Sequence, residues 1–190
     1  MPQDQDTNRA KIEAMIKEYY DVAEFLEDSL MYQDSSDIKE CILRTAINRH
    51  YYYIFLKLRE EIKFADSSEF VIRSMEKGPH TNVRAYVKEL LKYIGWTDIK
   101  TNQFVNQKMF KLFNYRTYSD YELIKDEKED IATKLKTSRI LSNMILGVLQ
   151  DIRYKQKKGL RDILEYIINE EKNGHELSKS LDDHNTPNKT

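Results

Sequence analysis

The sequence predicts an all-α protein, an antiparallel bundle of four main helices with short helices between them and a flexible C-terminal tail. Apolar residues recur at spacings of three and four along most of the chain, which is the period of a helix and not of a strand. Only five Gly and three Pro occur in 190 residues, too few for a turn-rich β fold. With 40% hydrophobic residues, the chain can bury one domain-sized core.

The first two helices are separated by the turn QDSSD. The first is expected to end near Tyr32. Ser36 or Asp37 then caps the second, which runs to about Phe64. The apolar stripe of the first helix consists of Ile12, Met15, Ile16, Tyr19, Ala23, Leu26 and Leu30.

Short helices follow. Residues 69–77 form one that Gly78 and Pro79 stop. A further helix is closed by Gly95, and Trp96 is expected to fill the core beside that corner. Its apolar positions are Val83, Tyr86, Val87, Leu90, Leu91 and Ile94.

The last long helix is expected behind the acidic run DEKED at residues 126–130, because acidic side chains suit the positive end of a helix. Before it, residues 104–113 form a helical segment and 114–123 lead out of it. These patterns predict a bundle over residues 1–152, an amphipathic helix over 153–168 and a disordered tail over 169–190.

Charge and cysteine content exclude several classes of protein. With 31 basic and 32 acidic residues the net charge is −1, so nucleic-acid binding would need a local basic patch. Cys41 stands alone, which excludes an internal disulfide, fits a reducing cytoplasm and predicts a small buried side chain. No apolar run reaches the ~18 residues of a membrane span, and the N-terminal stretch lacks the apolar core of a signal peptide.

Motifs for cofactors and metals are also missing. The sequence contains no GxGxxG, no GxxxxGK[ST] and no HExxH, and one Cys with four scattered His gives no zinc-ligand spacing. We therefore expect neither a cofactor nor a metal.

The central helix carries polar groups on a face that its neighbours predict to be buried. Arg44, Asn48 and Tyr52 stack at i, i+4 and i+8, and Arg49 and His50 lie among tyrosines and apolar residues. The pattern predicts a polar seam that another element must satisfy.

Three motifs resemble those of one family. AINRHYYYIF at Ala46–Phe55 resembles the A-x-N-R-x-Y-Y-x-x-F helix of HEPN domains, the helical proteins of prokaryotic toxin–antitoxin and phage-defence systems. GPHTNV at Gly78–Val83 is similar to the histidine-bearing start of the family's next helix. NYRTYSDYEL at Asn114–Leu123 is similar to the R-x-x-A-D-Y signature. The resemblance covers about residues 8–152.

The resemblance implies a compact bundle that usually dimerises and, in many members, a metal-independent endoribonuclease built on Arg, four to six residues, then His. In that chemistry the ribose 2′-OH attacks the neighbouring phosphate, an imidazole moves the proton and a guanidinium holds the developing charge. Here Arg116 is followed after four residues by Tyr121 in place of His. A phenol ionises only near pH ~10 and is a poor base. The candidate site residues are Arg116, Tyr121 and His50 for catalysis, and Asn48, Arg49 and His80 for RNA phosphate.

Two functions follow from this resemblance. The first is an RNA-acting HEPN-like protein, with the candidate residues as its site. The second is a non-catalytic module that dimerises and binds a partner protein, such as a nucleotidyltransferase-type antitoxin, or a nucleotide. Under the second, Arg49 and Arg116 pair with Asp120 or Glu122, His50 is a core ring and His80 caps a helix.

Overall fold

The computed structural model describes residues 2–65, 69–121 and 129–155, and each regular element in these ranges is helical. The all-α prediction is therefore confirmed for the described part of the chain. The predicted C-terminal helix and tail lie almost wholly outside it. The α-helices are α1 (Pro2–Ser29), α2 (Ser36–Ala65), α3 (Glu69–Glu76), α4 (Pro79–Tyr93), α5 (Asp98–Asn102), α6 (Phe110–Tyr121) and α7 (Ile131–Lys155).

Helix boundaries follow local capping chemistry. A 3-10 turn, Leu30–Tyr32, ends the first helix where the sequence predicts. At the start of α2 the cap is Ser35, whose hydroxyl accepts from the Ile38 backbone N–H at 3.5 Å and whose carbonyl accepts from Lys39 at 3.0 Å. The prediction of Ser36 or Asp37 as the cap is wrong by one or two residues, because the turn contains adjacent residues of equal capping preference.

Two glycines define the ends of α4. Gly78, with φ 62°, precedes Pro79 at the first helical position. Gly95, with φ 91°, donates to the Lys92 carbonyl at 2.9 Å, a left-handed ending that favours glycine. Trp96 then packs edge-on against Phe104, with ring centroids 5.7 Å apart. It is half-buried.

The segment at 114–121 differs from its prediction, because it belongs to α6 and does not lead out of a helix. A π-helix, Gln103–Met109, joins α5 to α6. Hydroxyl groups explain how polar residues remain helical here, since Thr117 donates to the Phe113 carbonyl at 3.1 Å and Ser119 donates to the Tyr115 carbonyl at 2.8 Å.

The chain divides into two compact units. The first lies within Met1–Lys57 and Lys108–Gly147, and the second within Leu58–Gln107 and Val148–Thr190. In the first unit, parts of α1, α2, α6 and α7 contribute to one hydrophobic core. Its buried members are Ala46, Ile47, Tyr115 and Leu135, with Leu26, Leu43 and Ile131 packed against them.

Two predictions of burial are wrong. Met15, placed on the apolar stripe of the first helix, is 63% exposed, whereas Ile16 and Ala23 on the same helix are buried. Cys41 is exposed as well. No helix in the described ranges has the length and apolarity needed to cross a lipid bilayer.

Candidate functional site

The polar seam of α2 is bonded to α6. All three seam side chains, spaced one turn apart, meet a polar group of that helix. The contacts are Arg44 Nη1 to the Tyr118 carbonyl oxygen at 3.2 Å, Asn48 Nδ2 to Asp120 Oδ1, and Arg116 Nη2 to the Tyr52 hydroxyl at 2.7 Å. The element that the sequence requires to satisfy the seam is therefore α6.

Arg116 is held on several sides. Its Nε lies 3.0 Å from Asp120 Oδ2, and its side chain is only 13% exposed. The guanidinium carbon lies 5.4 Å from the Tyr52 ring centroid and 5.3 Å from that of Tyr121. Burial by itself would lower the pKa of Arg116, but the contacts with Tyr52, Asp120 and Tyr121 raise it above its usual value. The guanidinium is thus a fixed cation inside an intramolecular network.

A groove of about 510 Å³ opens beside this network, along the N-terminal half of α2 and the C-terminal end of α6. Three carboxylates and two guanidinium groups line it, so its charge is mixed. The lining residues are Asp37, Glu40, Cys41, Arg44, Thr45, Asn48, Arg49, Ser119 and Asp120.

The two arginines of the groove differ in their partners. Arg44 is bound to Glu40, with Nη2 and Oε1 2.8 Å apart. Arg49 lies over the Tyr19 ring, 5.3 Å from its centroid, and no carboxylate in the described part of the chain pairs with it. Beside it, Asn48 Oδ1 is buried without a hydrogen-bond partner. The groove therefore offers one cation, Arg49, to a ligand, whereas the Asn48 oxygen is enclosed beneath its surface.

His50 belongs to the core of the first unit. The ring is fully buried and its Nε2 lies 2.6 Å from Glu27 Oε1, while Arg139 Nη1 lies 3.4 Å from Glu27 Oε2. Burial would raise the pKa of Glu27, but the hydrogen bond with His50 and the charge of Arg139 lower it below its usual value. His50 thus joins α1 to α2, and it does not line the groove.

The structure brings only part of the predicted site together. Asn48 and Arg49 line one groove, and Arg116 adjoins it through Asp120. Tyr121, the last residue of α6, is 67% exposed. His80 is the second residue of α4, in the other unit. The catalytic and phosphate-binding roles of the six residues remain predictions.

Sequence reasoning missed Cys41 and Glu40 as groove residues, and Glu27 as the partner of His50. Helical spacing could have placed Cys41, because residues 41, 44, 45 and 48 share one face of α2. No local signal could have found Glu27, which lies 23 residues before His50.

Comparison of the chain with protein-family models, curated proteins and solved structures finds no match. The fold and site by themselves define an all-α protein with a mixed-charge groove on its first unit.

Proposed function

We propose that this chain is a HEPN-like module that dimerises and acts by binding a partner protein, not by cleaving RNA. Three sequence motifs in family order support the HEPN-like assignment, as does the packing of four helices around the core of the first unit. The partner is of the nucleotidyltransferase-antitoxin type that the resemblance implies.

The contacts of Arg116 are the main support for a function without catalysis. At the family's arginine position, the guanidinium is bound to Asp120 and Tyr52. The family's histidine position holds a phenol, Tyr121, and His50 is enclosed with Glu27. A guanidinium that is already neutralised stabilises a developing phosphate charge less, and a substrate cannot reach the fully buried imidazole of His50 to give it a proton.

The charge of the groove favours a polypeptide over RNA. Three carboxylates and two guanidinium groups line the groove, so a chain of phosphates would meet anions as well as cations there. A polypeptide segment, by contrast, can bring a single carboxylate to Arg49. That carboxylate would neutralise a guanidinium that pairs with no carboxylate of the described residues.

An RNA cleavage assay tests the proposal. Labelled single-stranded RNA is incubated with excess protein and EDTA, using the natural chain and Arg116→Ala. We expect intact RNA in both reactions. Cleavage that persists in EDTA and disappears with Arg116→Ala would overturn the binding-only proposal.

The second candidate is the metal-independent endoribonuclease. One observation favours it, because Asn48 and Arg49 open onto the same groove as Asp120, the carboxylate bound to Arg116. If Asp120 released Arg116 when RNA binds, three phosphate-binding groups would lie together. The same assay decides between the two candidates.

A further inference from the structure

We propose that the outer face of α1 is a dimerisation surface, on which a second copy of this chain packs its own α1 in antiparallel orientation. The inference rests on the proposed dimeric module and specifies the surface and geometry of its self-association.

An exposed row of apolar side chains runs along one face of α1. Met15, Val22 and Phe25 are 63%, 43% and 70% exposed. Their spacings of seven and three place them on one face of α1, in the pattern of helices that pair along a seam. The buried Ile16 and Ala23 lie about 100° around the helix axis from Met15 and Val22. The apolar surface of α1 therefore extends beyond the part that faces the core of its own unit.

The area of the surface suits a dimer. Met31 and Tyr32, 84% and 82% exposed, lie in the 3-10 turn that follows α1. At about 200 Å² for a large side chain, the three residues of the row expose roughly 350 Å² and the two residues of the turn roughly 330 Å². A standard interface buries about 800 Å² per partner, a little over half of it apolar, or roughly 450 Å². The row alone supplies about three-quarters of the apolar area of such an interface, and the turn residues at the end of α1 can supply the rest.

Charge sets the orientation. Lys11 and Asp28 lie at the two ends of the apolar row, both exposed. Neither forms an ion pair within the described residues, although two ion pairs join other residues of α1. A two-fold axis near residue 20 places Met15 opposite Phe25 of the second copy, and the same axis brings Lys11 close to Asp28. An antiparallel pair therefore matches both the apolar and the charged residues, whereas a parallel pair would place like charges side by side.

Glu18 is the polar residue inside the row. The same axis places it opposite Val22 of the second copy, where its carboxylate must remain at the edge of the interface. Replacing it with an apolar residue should therefore strengthen association, an effect that no role of Glu18 within its own chain would produce.

Sedimentation equilibrium of the full chain tests the surface. We expect a concentration-dependent dimer, with Phe25→Glu raising the dissociation constant at least about 100-fold, since each dimer loses two aromatic contacts and buries two carboxylates. Glu18→Leu should lower it about tenfold. Ile99→Glu, an equally exposed apolar-to-acidic change in the second unit, is the matched control and should change nothing. A monomer at all concentrations, or a dimer indifferent to Phe25→Glu, would overturn the inference.

Charge reversal and cross-linking test the orientation. Lys11→Glu and Asp28→Lys should each weaken the dimer several-fold, and the double variant should restore it. In a Cys41→Ser background, a mixture of Met15→Cys and Phe25→Cys chains should form disulfide-linked dimers on oxidation, and neither chain alone should do so. Efficient linkage within the Met15→Cys preparation would mean parallel pairing and would refute the arrangement.

Different results would reject the proposed function and the proposed dimer surface. RNA cleavage by a chain that still dimerises through α1 would reject only the binding-only function. A dimer that ignores every α1 variant would reject only this surface.

Discussion

The pairing of Arg116 with Asp120 should contribute measurably to the free energy of unfolding. The two side chains are 13% and 20% exposed, and their charged atoms lie 3.0 Å apart. An exposed ion pair contributes ~0.2–1 kcal/mol, and a partly buried pair contributes more because water screens its charges less. For this mostly buried pair we expect a coupling energy of about 1.5 kcal/mol in a double-mutant cycle with Arg116→Met and Asp120→Asn.

Asp120→Asn alone should cost about 2 kcal/mol, because the carboxylate also accepts from Asn48. A change of that size lowers the melting temperature of a chain this long by ~4–8 °C. Urea unfolding followed by far-UV circular dichroism gives the four free energies of the cycle.

The exposed pair Lys17–Asp21 on α1, with side chains 67% and 49% exposed, is the matched control. Its cycle should give a coupling energy several-fold smaller than that of Arg116 and Asp120, because water and salt screen exposed charges. If the Arg116–Asp120 coupling is equally small, the guanidinium is not held by its neighbours. Arg116 would then be available to a phosphate, and its contacts would no longer support a non-catalytic function.

Three further changes test the core of the first unit. Glu27→Gln should destabilise the fold by ~2 kcal/mol at pH 7, because buried His50 keeps only a neutral partner. Because folding lowers the pKa of Glu27 from 4.5, the ionised carboxylate makes its full contribution to the free energy of unfolding above pH 4.5. The difference in the free energy of unfolding between the variant and the natural chain should shrink as the pH falls below 4.5. A difference that stays constant would refute this. Tyr52→Phe removes the acceptor for Arg116 and should cost ~1 kcal/mol by urea unfolding. Leu112→Ala empties a fully buried site and should cost ~3 kcal/mol by thermal melting, whereas less than ~1 kcal/mol would contradict its burial.

The helices could be predicted because their signals are local. Apolar spacing and capping residues gave α2 and α4 nearly correct bounds. The exposure of Met15 could not be predicted, because the pattern shows which face of a helix is apolar and not whether a neighbour covers it.

The site was predictable only in part, for a similar reason. The sequence shows that Arg44, Asn48 and Tyr52 share one face and need partners. Their partners lie 64 to 74 residues away in the chain, and helical spacing carries no information over that distance. The predicted pairing of Arg116 with Asp120 is confirmed, because an arginine and an aspartate four residues apart share one face of a helix.

The bonded seam between α2 and α6 restricts how these helices can move. Sliding α6 by one turn would displace each of its polar groups by ~5.4 Å. All three contacts would then break together, leaving mostly buried donors and acceptors unmatched at about 1 kcal/mol or more each. A hydrophobic contact would tolerate such sliding better, since apolar surfaces are not directional. The width of the groove is thereby fixed before any ligand arrives, so binding there need not wait for the helices to reposition.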